Sequence, residues 1–395
     1  MPDVTTYPGV YTQETTSGVT PIAGIATSVA AFIGWTAKGP IDRPEVVQSF
    51  TDFTREFGGL DARSPLGYSV SHFFANGGQQ ALVLRLAMSG ADGKVLVPND
   101  AAFESALLPP GNTGGVHRLG GLAPFNLLCV PGESNPSVLS DLQEFCRDRR
   151  AFLIADCAAD ASVASLQNGP DSSATGNDAM NAAFYFPWVL ASDPLLNNQL
   201  RPFPPCGFVA GIYARTDSAH GVWKSPAGTD ANVSGSSGIG LTINDQQNDT
   251  LNSKAVNCIR TLPGVGTVVW GGRTMQGADA RNSDWKYVAV RRTALYLERS
   301  IDDGLQWTAF EPNGEPLWAQ IRSSVGRFLQ DLFARGAFQG ATPQQAYFVT
   351  CGNDTTTNDD IAAGIVNIVV GFAPLKPAEF VLITIRQMAA KTTPS

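Results

Sequence analysis

The hydrophobic pattern divides the chain into short strands alternating with amphipathic helices. Val29–Ile33 (VAAFI) is an unbroken apolar run, the pattern of a buried strand, and Ala81–Leu86, apolar but for Arg85, is predicted as another strand. Between them Val46–Phe50 predicts a short strand, Thr51 a cap for a helix through Phe57, and Gly58-Gly59 its end. Leu66, Val70, Phe73 and Phe74 fall at helical spacing and stop at Asn76-Gly77-Gly78. The alternation continues with a helix at Asp100–Leu108, a strand at Phe125–Val130, a helix at Val138–Arg149 and a strand at Phe152–Asp156. An apolar run at Phe184–Leu190 and a helix over Pro204–Ala219 follow, and the order predicts an α/β (α+β) fold.

Trp223–Gly240 is rich in Gly and Ser, the best candidate for a domain boundary. Beyond it, strands are predicted at Cys258–Leu262 and Thr267–Trp270, and Tyr287–Leu305 passes from strand into a helix with Ala294, Leu297, Ile301 and Leu305 on one face. Trp307–Phe310 predicts a strand. Pro316–Arg335 is the longest helix, its apolar stripe made by Leu317, Ile321, Val325, Phe328, Leu329 and Leu332, and Tyr347–Cys351 is a strand. Two last apolar runs, Ile365–Phe372 and Glu379–Gln387, flank a connector that Pro374 and Pro377 keep from being helical. The second run sets Phe380, Leu382, Thr384 and Arg386 on one face and Val381, Ile383, Ile385 and Gln387 on the other. Such a strand needs cover on both sides, either within its own domain or in the sheet of a neighbouring copy, where backbone hydrogen bonds supply affinity. At the other end, Met1–Pro21 is polar and Thr-rich. Extended, about twenty residues reach roughly 66–72 Å, enough to touch a neighbour, although a frayed terminus has the same composition.

With 395 residues the chain has length for two domains with cores of their own. A net charge of −8 argues against nucleic acid as a partner. Lys254–Arg335 is the exception, with 11 basic and 8 acidic residues. Six cysteines, without paired spacing and mostly among apolar residues, read as free buried thiols in a reducing compartment. No signal peptide opens the chain and no apolar run approaches ~20 residues, which predicts synthesis in a cytosol and no membrane insertion.

The α/β alternation invites a nucleotide-binding reading, but neither GxGxxG after a strand nor GxxxxGK[ST] is present. Asp156, at a strand end, reads better as a capping or solvated carboxylate than as a site residue. Three histidines (72, 117, 220) are scattered, and GxSxG is absent. Arg291-Arg292 with Glu298 reads as salt bridging within a helix or between subunits. Catalytic and metal-binding residues and cofactors are therefore not expected, and an α/β enzyme is the weakest reading.

Several blocks resemble the contractile tail sheath family of phages, contractile bacteriocins and phage-like injection systems. They are YPGVYTQE at 7–14, PIAGIATSVAAFIGWTAKGP at 21–40, GFVAGIYARTD at 207–217, and the succession VNCIRTLPGVGTVVWGGRTM, DWKYVAVRRTALYLERSIDDGLQWTAFEPN and GFAPLKPAEFV from Val256 onward. The resemblance is strongest in the last third and weak in the middle. It implies an N-terminal exchange arm (1–21), an outer domain (22–241), an inner tube-facing domain (242–376) and a C-terminal exchange strand (377–395). Tyr7, Val10, Tyr11, Phe380, Leu382, Thr384 and Arg386 would take part in strand exchange. Ser323, Arg327, Gln330 and Ala334, opposite the apolar stripe, would face the tube. Implied partners are copies of itself in stacked hexameric rings, an inner tube protein, baseplate and terminal cap proteins, and sheath paralogues. The implied action is contraction that drives the tube through a target membrane, with assembly in a bacterial cytoplasm and release as a particle. A static tube or baseplate component is the alternative.

Overall fold

Most of the apolar runs end up side by side in one sheet. The computed structural model describes residues 20–89, 95–121 and 124–379, which divide into two units. The sheet unit comprises Ile25–Glu298 and the segment from Pro374; the helix unit comprises Arg299–Ala373 and the chain up to Gly24.

In the sheet unit the strands are β1 (Ala30–Gly34), β2 (Glu45–Val47), β3 (Ala81–Arg85), β4 (Met88–Ser89), β5 (Val95–Leu96), β6 (Leu127–Cys129) and β7 (Phe152–Asp156). After them come β8 (Ala182–Phe186), β9 (Val189–Asp193), β10 (Gln199–Phe203), β11 (Ser236–Ile239), β12 (Val256–Leu262) and β13 (Gly266–Val269). The helices are α1 (Phe50–Phe57), α2 (Pro65–Ala75), α3 (Asp100–Leu107), α4 (Pro136–Arg149), α5 (Cys206–His220), α6 (Asp245–Ser253) and α7 (Val288–Gly304), the last of which runs on into the helix unit.

The eight-stranded sheet has the order β13-β12-β8-β7-β6-β1-β3-β2. Only its edge strands β2 and β13 are antiparallel to their neighbours. Alternation within β1 shows why the runs lack polar residues. Ala30 and Phe32 belong to the core on the α2/α5 face, Ala31 and Ile33 to the core on the α4 face. Helices α2 and α5 approach to backbone contact. A Cβ on Gly207 would lie 2.4 Å from the Ser69 carbonyl oxygen, and one on Gly211 2.5 Å from that of Phe73. That spacing explains the two glycines of GFVAGIY. All six cysteines are buried free thiols, and burial pushes the thiols of Cys146, Cys157, Cys206, Cys258 and Cys351 above their ordinary value.

Three expectations change. Ser49, not Thr51, caps α1, its hydroxyl accepting from Asp52 N, so the preceding strand stops at Val47. Trp223–Gly240 is packed rather than a linker: Ala231 and Val233 are buried, Val233 N donates to the Thr267 oxygen, and β11 joins a three-stranded sheet with β9 and β10. Its glycines serve turns, with positive φ at Gly228, Gly235 and Gly238. The two compact units divide at Glu298/Arg299, inside α7. Trp307–Phe310 is a 3₁₀ turn, Gln306–Thr308, closed by Thr308 N on the Leu305 oxygen; four residues ahead of Glu-Pro-Asn-Gly find no strand to pair with.

The helix unit adds α8 (Glu315–Ala334), α9 (Pro343–Ala346), β14 (Tyr347–Thr350), α10 (Asn358–Ala362) and β15 (Val369–Phe372). The stripe from Leu317 to Leu332 is buried, as periodicity demanded. Strand β15 starts four residues later than Ile365, because Ile365 N closes on the Asp360 oxygen and Asn367 N on the Thr356 hydroxyl.

Asp156 is buried and does cap, but across elements. Its carboxylate accepts from Cys206 N (2.7 Å), at the start of α5, and from Gly132 N (3.0 Å). Burial pushes the carboxyl up to about 7, against the pull of those donors. The neutral form is thus favoured in the folded state. Its contribution to stability is complete below the ordinary value of 3.8 and is lost as pH rises to about 7. Thermal unfolding of wild type and Asp156→Asn across pH 4 to 8 checks this. The wild type is expected to lose stability relative to the variant as pH rises, and a pH-independent difference would contradict it.

Candidate assembly surface

The helix unit carries a ribbon of two strands in which no residue is fully buried. Strands β14 and β15 pair antiparallel from Tyr347↔Phe372 to Thr350↔Val369. On one side Phe338 packs against Tyr347 and Phe372, with ring centroids 6.2 and 5.7 Å apart. Phe348 and Val369 remain about half exposed. Among the described residues no third strand joins either edge. An isolated two-stranded ribbon is marginal in water, and open edges template further strands.

Helix α8 lies beside the ribbon and presents a polar face. Ser323, Arg327, Gln330 and Ala334 are all exposed, and Gln330 Oε1 accepts from the Tyr347 hydroxyl at 2.8 Å. Arg322 turns away to the Cys351 carbonyl and Glu315. The terminal residues expected to exchange, Tyr7, Val10, Tyr11, Phe380, Leu382, Thr384 and Arg386, lie outside the described residues.

Glu379, the first residue of that last run, is held in the sheet unit. Arg273, only 1% exposed, donates from Nε and Nη2 to the two Glu379 carboxylate oxygens, both at 2.7 Å. Its Nη1 donates to the Asn252 oxygen and to Asp279. Burial pushes the Glu379 carboxyl up, but Arg273, Lys286 and Asn252 together bring it below the usual carboxylate range. Sequence reasoning missed this pair because 106 residues separate its members. The one signal was a lone arginine in WGGRTM, directly after an apolar strand.

The other charged cluster is structural. Arg292 forms a buried pair with Asp217, with Nη2–Oδ2 at 2.6 Å, and stacks over Tyr213 at 4.7 Å, tying α7 to α5. Arg291 reaches Glu298 within α7 and Asn181. At the switch point between β1 and β6, where doubly wound sheets hold ligands, a cavity of about 450 Å³ is lined by Trp35, Trp188 and the carboxylates of Asp100, Glu104 and Glu133. Arg63 lines it as well, stacked over Trp35.

Comparisons with known proteins agree with this architecture. The phage tail sheath protein central domain matches residues 118–275, and the phage tail sheath C-terminal domain matches residues 280–388. The tail sheath protein of Enterobacteria phage T4 is 28% identical over 163 residues, 41% of this chain but 23% of that protein. A prophage major tail sheath protein of Pseudomonas aeruginosa is 24% identical over 284 residues, 68% of this chain and 67% of that one. The anti-feeding prophage helical sheath in its contracted state superposes with a TM-score of 0.76 at 28% identity, covering 97% of this chain and all of that one. The sheath of the extracellular contractile injection system PVC, also contracted, gives 0.74 at 27% identity, over 97% and 98%. The chain is an α/β sheath subunit by fold. It belongs to the phage tail sheath family.

The α8 face makes a contrast that urea unfolding can check. Arg327→Ala is expected to change stability by less than ~0.5 kcal/mol, whereas Leu329→Ala, one helical step inward, costs about 2–5 kcal/mol. Similar losses from the two would mean that Arg327 is part of the packing.

Proposed function

We propose that the protein is the contractile sheath subunit of a phage-tail-like injection system, stacking as hexameric rings around an inner tube and contracting to drive that tube through a target membrane. The observation that carries the reading is the end-to-end likeness to two contracted sheaths. The ribbon of β14 and β15 supports it physically. Terminal segments from neighbouring copies, 1–21 and 377–395, would complete its edges and join the subunits into a mesh. In this reading the exposed face of α8 meets the tube through Ser323, Arg327, Gln330 and Ala334. A baseplate, a terminal cap and sheath paralogues complete the particle, which assembles in a bacterial cytoplasm and is released. Among the described residues no helix is long and apolar enough to cross a membrane.

Strand exchange is tested by truncation. Deleting Met1–Gly18, or ending the chain after Pro377, is expected to leave a folded protein that makes no tubes in electron micrographs. Normal tubes from both truncations would refute the exchange. Tube contact through exposed charge is weak per subunit, about 0–1 kcal/mol, which suits a surface that must let go. Arg327→Glu sheaths should therefore bind tube less well at low salt, with the difference fading as salt rises. Equal binding across the salt series would remove Arg327 from the contact.

A further inference from the structure

The pair formed by Arg273 and Glu379 is placed where force would enter the sheet unit. Its arginine is fixed at both ends. The Arg273 backbone N–H donates to Asn257 Oδ1 at 2.7 Å, and Asn257 Nδ2 donates to the carbonyls of Arg273 (2.8 Å) and Phe184 (3.1 Å), so the residue is pinned to β12 and β8 in the sheet. The side chain makes five hydrogen bonds at 2.7–3.3 Å, to Glu379 twice, Asn252, Gly277 and Asp279. On the other side the Glu379 side chain is 15% exposed, with Tyr287 Oη at 3.3 Å and Lys286 Nζ at 3.8 Å. Burying a guanidinium costs several kcal/mol unless its geometry is nearly ideal. Here the bidentate end of the fork is used on a residue from the far end of the chain, while the half-exposed Asp279 receives a single bond.

We propose that Arg273 is a positioning residue for assembly. It grips Glu379 and so fixes the point at which the C-terminal segment leaves the sheet unit, and it passes pull on that segment into the eight-stranded sheet. This rests on the strand-exchange reading. The run expected to be donated, Glu379–Gln387, starts at the gripped residue, and its first expected exchange residue, Phe380, is next to the grip, so almost no slack lies between a neighbour's hold and the clamp. Behind the clamp, the Ala373 N–H and C=O bond Ala346 and Gln339. The six-residue span from there contains Pro374 and Pro377. A longer leash lowers the effective concentration of the donated strand at its acceptor and lets subunits part under load.

The test uses the full-length chain carrying Glu379→Gln, and separately Arg273→Met, beside the chain ended after Pro377. Tube length is measured by electron microscopy before and after a fixed shear, and thermal unfolding is measured on disassembled subunits. Glu379→Gln is expected to unfold within a few degrees of wild type. Its tubes should be several-fold shorter after shear, and Arg273→Met should give the same shortening or more. Wild-type lengths from Glu379→Gln, with no tubes from the Pro377 truncation, would overturn the clamp and leave strand exchange standing. Normal tubes from the truncation would overturn both. A loss of subunit stability in Glu379→Gln large enough to explain the shortening would make the pair an ordinary fold-stabilising one, and would also overturn the proposal.

Discussion

The outer edges of β14 and β15 set the main constraint on this molecule. Backbone N–H and C=O groups need partners or water, and two strands alone cannot bury enough side-chain surface to hold a sheet together. Among the described residues this ribbon has no third strand, and Phe348 stays half exposed on it. In the proposed sheath each copy supplies to others what it lacks itself. Polymerisation is then a continuation of folding, and connectivity comes from backbone pairing that is indifferent to how the rest of each surface repacks.

The sheet unit answers a different requirement. Its parallel strands are covered on both faces, α2 and α5 touch backbone to backbone, and the Arg292–Asp217 pair locks α7 to α5. A body built this way deforms little, since close packing resists continuous change. The fold class is one that often carries nucleotide chemistry, yet fold does not determine function. The loop after β1 has no phosphate cradle, and the nearby cavity presents carboxylates.

Much of the architecture was legible in the sequence because it depends on local patterns. Apolar runs such as VAAFI and ALVLRL gave central strands, and the 3.6-residue stripe of α8 gave both the helix and its exposed face. Local pattern failed where a longer-range partner decided the outcome. Gly/Ser composition at 223–240 suggested a linker, but Val233 pairs with Thr267 and the segment is packed. WTAF looked like a strand, but among the described residues none pairs with it, and Gln306–Thr308 closes as a 3₁₀ turn. Asp156 could be read as a cap, though not as the cap of a helix fifty residues away. The Arg273–Glu379 pair was invisible for the same reason. The family resemblance, by contrast, was carried by short motifs and needed no geometry.

The burial of all six cysteines has a practical side. A thiol attacks as its thiolate, and buried thiols pushed to higher values supply little of it at neutral pH. Maleimides and oxidants in the medium should pass the native chain by. A single cysteine placed on the exposed face of α8, or beside β15, would then be the reactive one, with no need to remove the others. A dye or spin label could be set at one chosen point of every subunit, which would let the stroke of an assembled particle be timed in solution.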